Sequence, residues 1–348
     1  MSHQLLYVSA VALLAANVNA PVSANEISQH LSTIIVPEPI KRIEPKYPVS
    51  AARQSREGWA IFSFVINEEG SVEDIILKDS SGSKDITKAA KKAIKKWHYK
   101  PAMENGKAIQ QCVNTVKLDF RMHGSSTKGV SRKFKKKYDK AVEALNTKDF
   151  ARFEELLVQM NNSKYMHLSE NNYLQLLLAQ YAKEMGDKRK QLHHLRRIAN
   201  SLESVNEAQQ FSVLYQVFNL QVELSQFVEA HATYEKLIEL PSATPYFEQF
   251  SEVIAKVESI ISSDKNIVIT ADIEKDYWSA DLVRNEFSLT NIEGSLHTLD
   301  VRCANKRHVY TVENNNTWRI PSSWKNCSIY VYGEPKTSFN LIEHPVDI

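Results

Sequence analysis

The sequence predicts a multidomain chain of three classes in succession: an α+β domain with a three-stranded antiparallel sheet and one helix, an all-α helical repeat region, and a small C-terminal β-sandwich. Three observations carry this reading. Between residues 58 and 120 the apolar pattern passes from period two to period 3.6 and back to two. From about Ser131 to Ser262 helical periodicity is nearly unbroken, with turn signals 38 and then 39 residues apart. Beyond residue 265 the chain breaks into short β-branched runs separated by Asn, Gly or Pro.

The bounds agree. A chain of 348 residues can bury two or three cores. Its 43 basic and 41 acidic residues leave a net charge of +2, which argues against a nucleic-acid partner, for which a strongly basic domain is the usual footprint. The amino terminus carries an apolar run from Leu5 to Ala16, short of the ~20 residues that span a bilayer. Val22-Ser23-Ala24 has the small-x-small form of a signal-peptidase site, so residues 1–24 read as a signal peptide cut before Asn25, and the product is expected in the periplasm. The alternative is a retained anchor in the inner membrane, facing the periplasm. Residues 25–42 read as a linker with Pro37 and Pro39.

In the first domain (43–124), GWAIFSFVI (58–66) places Ala60, Phe62, Phe64 and Ile66 on one face of a strand. NEEGS (67–71) is a turn in which Gly70 can take positive φ, and VEDIILKDS (72–80) returns as the second strand. A helix follows, with Ile86, Ala90, Ala93 and Trp97 on its apolar stripe and Lys84, Lys88, Lys91 and Lys95 on another face. The block AIKKWHYKPA (93–102) ends it. Trp97 supplies a large buried ring beneath a thin sheet, Tyr99 extends that contact, and Pro101 turns the chain toward the last strand. On that strand Val116, Leu118 and Phe120 share the inner face, and Thr115, Lys117 and Asp119 the other. The opposite face of the first strand is also apolar, with Trp59, Ile61 and Val65, so the helical repeats or a second copy of the domain should cover it.

The helical region (131–262) reads as helix–turn–helix pairs with turns at Lys148-Asp149, Gly186-Asp187 and Ser225-Gln226. This resembles tetratricopeptide repeats without their usual period of about 34; an irregular bundle is the alternative. The last region (265–348) suits a small antiparallel sandwich, in which Cys303 and Cys327, 24 apart, could form a disulfide in an oxidising compartment. Two free thiols are the other reading, and Cys112 is the odd cysteine. The chain contains no phosphate loop, HExxH, CxxC or GxSxG motif, and the adjacent His193 and His194 diverge on a helix, so neither an enzyme, a metal site nor a cofactor is expected. The lysine faces at 84–96 and in RKFKKKYDK (132–140) are solvated surfaces or contacts for an anionic partner.

With these elements in place, residues 43–122 resemble the C-terminal domain of the TonB family, through YPVSA (47–51), Gly58, AIFSFVI, EEGSVEDI, SSG and AAKKAIKKWHYKPA in that order. The resemblance implies binding without catalysis: family members pair a sheet edge with a short segment of an outer-membrane TonB-dependent receptor. It places the peptide-binding edge on the last strand, at Val113, Thr115, Lys117 and Asp119. It places the approach segment at Glu44, Pro45, Lys46 and Tyr47, with Glu44 where the family often has glutamine. Inner-membrane motor proteins would be partners only if the amino terminus is retained, and homodimerisation of the head is a further option. Two departures stand out: the apolar run is short, and a lead of about 19 residues reaches at most ~65 Å, where a family transducer has a long proline-rich arm. A periplasmic protein- or peptide-binding adaptor, a membrane-anchored energy transducer and a structural envelope scaffold are the three readings left open.

Overall fold

The computed structural model describes residues 37–122, 129–161, 166–202, 206–313 and 316–345. The expected signal peptide and most of the linker lie outside the described residues.

The first domain, here called the head, is built on strands β2 (Gly58–Ile66), β3 (Val72–Ser80) and β7 (Gln111–Phe120), in the antiparallel order β3-β2-β7. Helix α2 (Lys84–Ile94) crosses between β3 and β7 and covers one face. Phe62, Phe64 and Ile66 of β2 meet Ile86, Ala90, Ile94, Trp97 and Tyr99 in one buried cluster. The Trp97 ring stands edge-on to Phe64 at 6.0 Å, and its indole N–H donates to the Ile43 carbonyl at 2.9 Å, so the end of the helix ties down the entering chain. Arg56 braces the start of α2: its guanidinium holds Asp85 at 2.6 Å and, with Ser83 and Ser50, keeps that carboxyl well below the usual range. Smaller elements complete the head. Short strands β1 (Pro39–Lys41) and β4 (His98–Tyr99) pair, β5 (Ala102–Glu104) and β6 (Lys107–Ile109) form a hairpin, and α1 (Val49–Arg53) packs on α2.

Gly70 makes the β2–β3 turn at φ +82°, and a Cβ there would lie 2.0 Å from the Tyr99 carbonyl oxygen. That carbonyl belongs to a fixed bridge, since the Tyr99 amide donates to Gly70 O at 2.8 Å. Gly70→Ala should therefore destabilise the head by more than the ~1 kcal/mol of the left-handed conformation alone. Urea unfolding checks it, and a loss under that figure would show that the turn yields.

Three helix pairs follow: α3 (Arg132–Asn146) with α4 (Phe150–Asn161), α5 (Leu168–Glu184) with α6 (Lys188–Ala199), and α7 (Glu207–Glu223) with α8 (Phe227–Ile238). Their turns share one device. Lys148, Gly186 and Ser225 take positive φ (58°, 71° and 56°), and the next amide, of Asp149, Asp187 or Gln226, reaches back to Ala144, Ala182 or Gln221. In the first two the aspartate then caps the second helix, accepting from Arg152 N and Lys190 N. A 3-10 turn, Pro241–Tyr246, leads into α9 (Phe247–Ile261).

The C-terminal unit holds two four-stranded antiparallel sheets. One runs β13 (Thr317–Arg319), β10 (Glu286–Glu293), β15 (Ser338–Glu343), β8 (Ile267–Asp272). The other runs β12 (Lys306–Thr311), β11 (Leu296–Cys303), β14 (Ser328–Gly333), β9 (Tyr277–Asp281). The sequence suggests strands in the seven runs NIVITADI, FSLT, LHTLDVRC, HVYTVE, TWRIP, CSIYVYG and TSFNLIE, and β9, in YWSAD, is an additional one. Cys303 and Cys327 are joined by a disulfide, and both belong to the cluster shared by the two sheets. Phe227, Val257 and Ile261 of the helical region enter the same cluster. Arg284, buried, donates to the carbonyls of Ile260, Ile261, Ser263 and Lys265, closing the end of α9 with a cation from the β unit.

Beside it Glu343 is buried and accepts from the Val283 and Arg284 amides; burial pushes its carboxyl up to about 7. A folded pKa above the unfolded value means the folded state holds the proton more tightly. Its stabilising contribution is complete below the unfolded value of ~4.5 and is lost as pH rises through about 7. Between pH 5 and 8 the wild type should lose stability relative to Glu343→Gln, compared by thermal melts. Parallel curves would show that Glu343 does not titrate in that window.

Candidate functional site

Strand β2 is buried on both faces, and this sets the head apart from a sheet with one wet side. The face away from α2 carries Trp59, Ser63 and Val65, all fully buried. The sequence led to the expectation that the helical repeats or a second head would cover it. The contacts come instead from the C-terminal sheet. Alternation along β11 and β14 sends Leu299, Val301, Ile329 and Val331 into the unit's own core. It turns Asp300, Arg302 and Tyr330 toward the head, where they too are buried. Arg302 donates to Asp300 at 2.8 Å, to the Asp74 carbonyl at 3.1 Å and to the Ser63 hydroxyl at 3.5 Å, and lies 4.9 Å above the Tyr330 ring. Arg307 spans both units, holding Asp300 and the Asp74 carboxylate. Tyr277 adds a bond to the Leu77 carbonyl at 3.0 Å. The Cys112 thiol, pushed up to about 12 by burial, lies 3.8 Å from the Lys306 carbonyl. The helical region touches the rim, through Arg197 on the Ser80 carbonyl and His167 on Ser55.

The edge strand is placed by this packing. β7 pairs with β2, and no strand pairs with its other side among the described residues. At its start Gln111 and Cys112 are buried; farther on, Thr115 and Asp119 are exposed and Lys117 is half-buried. The open length is therefore Thr115–Asp119. Val113 differs from its three companions. β7 matches Val116 to Phe62 and Val113 to Phe64, so three steps on β7 answer two on β2. The extra residue is a bulge that reverses the alternation, and Val113 packs into the inner cluster with Val116 and Leu118. Simple period-two reading could not show that.

On the edge face Lys117 and Asp119 pair at 3.0 Å, and Asp119 reaches Arg121 at 3.5 Å. In the approach segment Glu44 and Lys46 are exposed. Tyr47 is held: its ring stacks edge-on to Phe120 at 5.6 Å and its hydroxyl donates to the Arg56 carbonyl at 2.6 Å. Just before it, Arg42 lies 4.4 Å over Trp97. Of the two adjacent histidines, His194 meets Gln175 at 2.8 Å and is pushed down to about 4 by burial. No group of three or more His, Cys, Asp or Glu is placed to hold a metal among the described residues, and no helix among them is long and apolar enough to cross a membrane. Sequence reasoning missed the Asp300–Arg302–Arg307 network. Its only trace is a charged residue at every second position of LDVRC, which reads as a wet face.

Residues 43–122 match the family described as Gram-negative bacterial TonB protein C-terminal. Protein tonB2 of Pseudomonas aeruginosa is 34% identical over 79 residues, 23% of this chain and 29% of its own length, so the match spans less than a third of that relative. Two solved structures share sequence with the chain. The solution structure of the Pseudomonas aeruginosa TonB C-terminal domain is 26% identical, covering 25% of this chain and 86% of that one, at a TM-score of 0.23. The TonB2 protein from Vibrio anguillarum is 28% identical, covering 35% and 98%, at a TM-score of 0.21. On the sequence match and its motifs, residues 43–122 of this chain are a TonB C-terminal domain, carried together with many helices and a β-rich C-terminal region.

Proposed function

We propose that this is a periplasmic adaptor of the TonB family that holds an extended segment of an outer-membrane receptor as an added strand beside β7, by binding and without catalysis. The observation that carries the reading is the free side of β7 from Thr115 to Asp119 in a TonB C-terminal domain. An unpaired edge is a template for strand addition, with backbone bonds supplying most of the contact and side chains little selectivity. The helix pairs, read as a tetratricopeptide-like scaffold, would hold a second protein, and the short apolar run at Leu5–Ala16 suits an exported product.

The test is a proline at Thr115 or Lys117, whichever amide points away from β2, because proline removes that donor. Binding of synthetic receptor-derived peptides, read by fluorescence anisotropy, should weaken by about tenfold or more for a lost backbone bond and a ring placed in the ladder. A folded proline variant that binds as well as wild type would remove edge pairing as the mode. Mass spectrometry of the mature amino terminus separates the adaptor from the anchored transducer: Asn25 as first residue supports the former, Met1 in washed inner membranes the latter.

A further inference from the structure

A cleft of about 800 Å³ lies where the head meets the C-terminal unit, on the side away from β7. Five consecutive residues of β3, Val72–Ile76, form its floor; Lys91 and Lys95 of the α2 segment stand on one wall, with His297, Thr298 and Val309 opposite. Among the described residues β3 pairs with β2 alone, and five of its residues line this space. Four of the charges lining it, Asp74, Asp300, Arg302 and Arg307, neutralise one another, and Glu73 adds a carboxylate that meets Asn67 at 3.5 Å. The lysines on the wall are different. Residues 84–96 carry six lysines and one aspartate in a chain whose net charge is +2, and that aspartate is taken by Arg56. None of the six forms an ion pair among the described residues.

We propose that this cleft is a second binding site, which takes an extended acidic peptide segment with carboxylates at alternate positions. Lys91 and Lys95 are one helical turn apart, a rise of about 6 Å. Alternate side chains of an extended strand repeat at ~6.6–6.8 Å, so two carboxylates on one face of such a segment match the two ammonium groups. The residues between them would face the wall bearing Val309, which is half exposed and apolar. Lys91 and Lys95 outnumber the one remaining carboxylate, Glu73, and an excess of cations in a walled cleft concentrates anions more strongly than the same charges on an open helix. Concavity also selects the ligand: a bilayer cannot enter, and two lysines a turn apart do not converge on one small anion. The site lies on the opposite side of the sheet from β7, so it stands independently of receptor pairing there.

The probe is a fluorescein-labelled peptide of alternating Glu and Val, with a Gln–Val peptide as its neutral isostere, titrated by anisotropy into the full chain. The Glu peptide should bind at least about tenfold more tightly than the isostere, and increasing salt should weaken it. Lys91→Glu with Lys95→Glu should abolish that preference. Lys88→Glu with Lys92→Glu, the same charge change on the same helix outside the cleft, should leave it nearly unchanged. Equal losses in the two pairs would show a diffuse field and overturn the site, as would equal affinity for the isostere. Displacement by millimolar inorganic phosphate, or stronger binding to phosphatidylglycerol vesicles than to the peptide, would also overturn it. Carbodiimide crosslinking of the wild type keeps the test valid if the reversal misfolds: peptide carboxylates should join Lys91 or Lys95, and crosslinks only elsewhere would reject the proposal. The Thr115→Pro chain should bind this peptide normally; loss there, with Lys91→Glu/Lys95→Glu intact, would place the peptide on β7 instead.

Discussion

A chain ending at Ser262 should self-associate more strongly than the full chain and gain a reactive thiol. Without residues 265–348 the outer face of the head, with Trp59, Ser63 and Val65, has no cover from β11 and β14. Trp and Val side chains cost ~1.5–3 kcal/mol each when moved from burial to water. An apolar face flanked by an open strand edge then favours self-association. Cys112, buried and pushed up to about 12 in the full chain, would sit at the surface with an ordinary pKa. Size-exclusion chromatography and thiol titration in native buffer read both effects. A truncated chain that runs as a monomer with Cys112 still unreactive would show that the C-terminal unit is not the cover.

Asp300→Ala should be the most damaging single substitution at the junction. Asp300 and Arg302 have side chains only 3% and 2% exposed, and Asp300 also holds Arg307. Removing the carboxylate leaves two guanidinium groups with their main counter-ion gone, and breaking a buried pair typically costs ~3–5 kcal/mol. Asp300→Leu combined with Arg302→Met should recover much of that loss, because the expensive event is stranding a charge and not deleting the pair. Urea unfolding of the three chains decides it. A single substitution costing under ~1 kcal/mol, the level of an exposed pair, would mean that water reaches the network.

Much of this architecture was legible because local rules and tertiary environment agree there. The switch of period around residues 58–120 gives the head, and the Trp97–Tyr99–Pro101 run gives the end of its helix, since each residue type has one efficient use at that place. The turns at Lys148, Gly186 and Ser225 could be located from the flanking apolar stripes, although only one of them carries glycine. Three things were hidden. The bulge that turns Val113 inward depends on the register between β2 and β7, which one strand's sequence does not contain. The shared use of Asp300 by two arginines depends on a partner surface more than 200 residues away in the chain. Strand β9 was lost because aspartates bracket its aromatics and make it resemble a loop.

The junction also sets an order on how the molecule can be completed. The head's outer face is closed by side chains of residues 300–330, about 180 residues after the head itself has ended. At ~5–20 residues per second, a chain that folds as it is made leaves that face open for on the order of ten to forty seconds after its three strands have emerged. During that interval the head has its helix and its inner cluster but keeps Trp59 and Val65 exposed. It is a half-finished layer that a neighbouring nascent chain could occupy as readily as the proper strands. The first part of the polypeptide to acquire a core is thus the last to become safe. A chain that stops before residue 300 leaves the beginning of the protein uncovered as well as its end unmade.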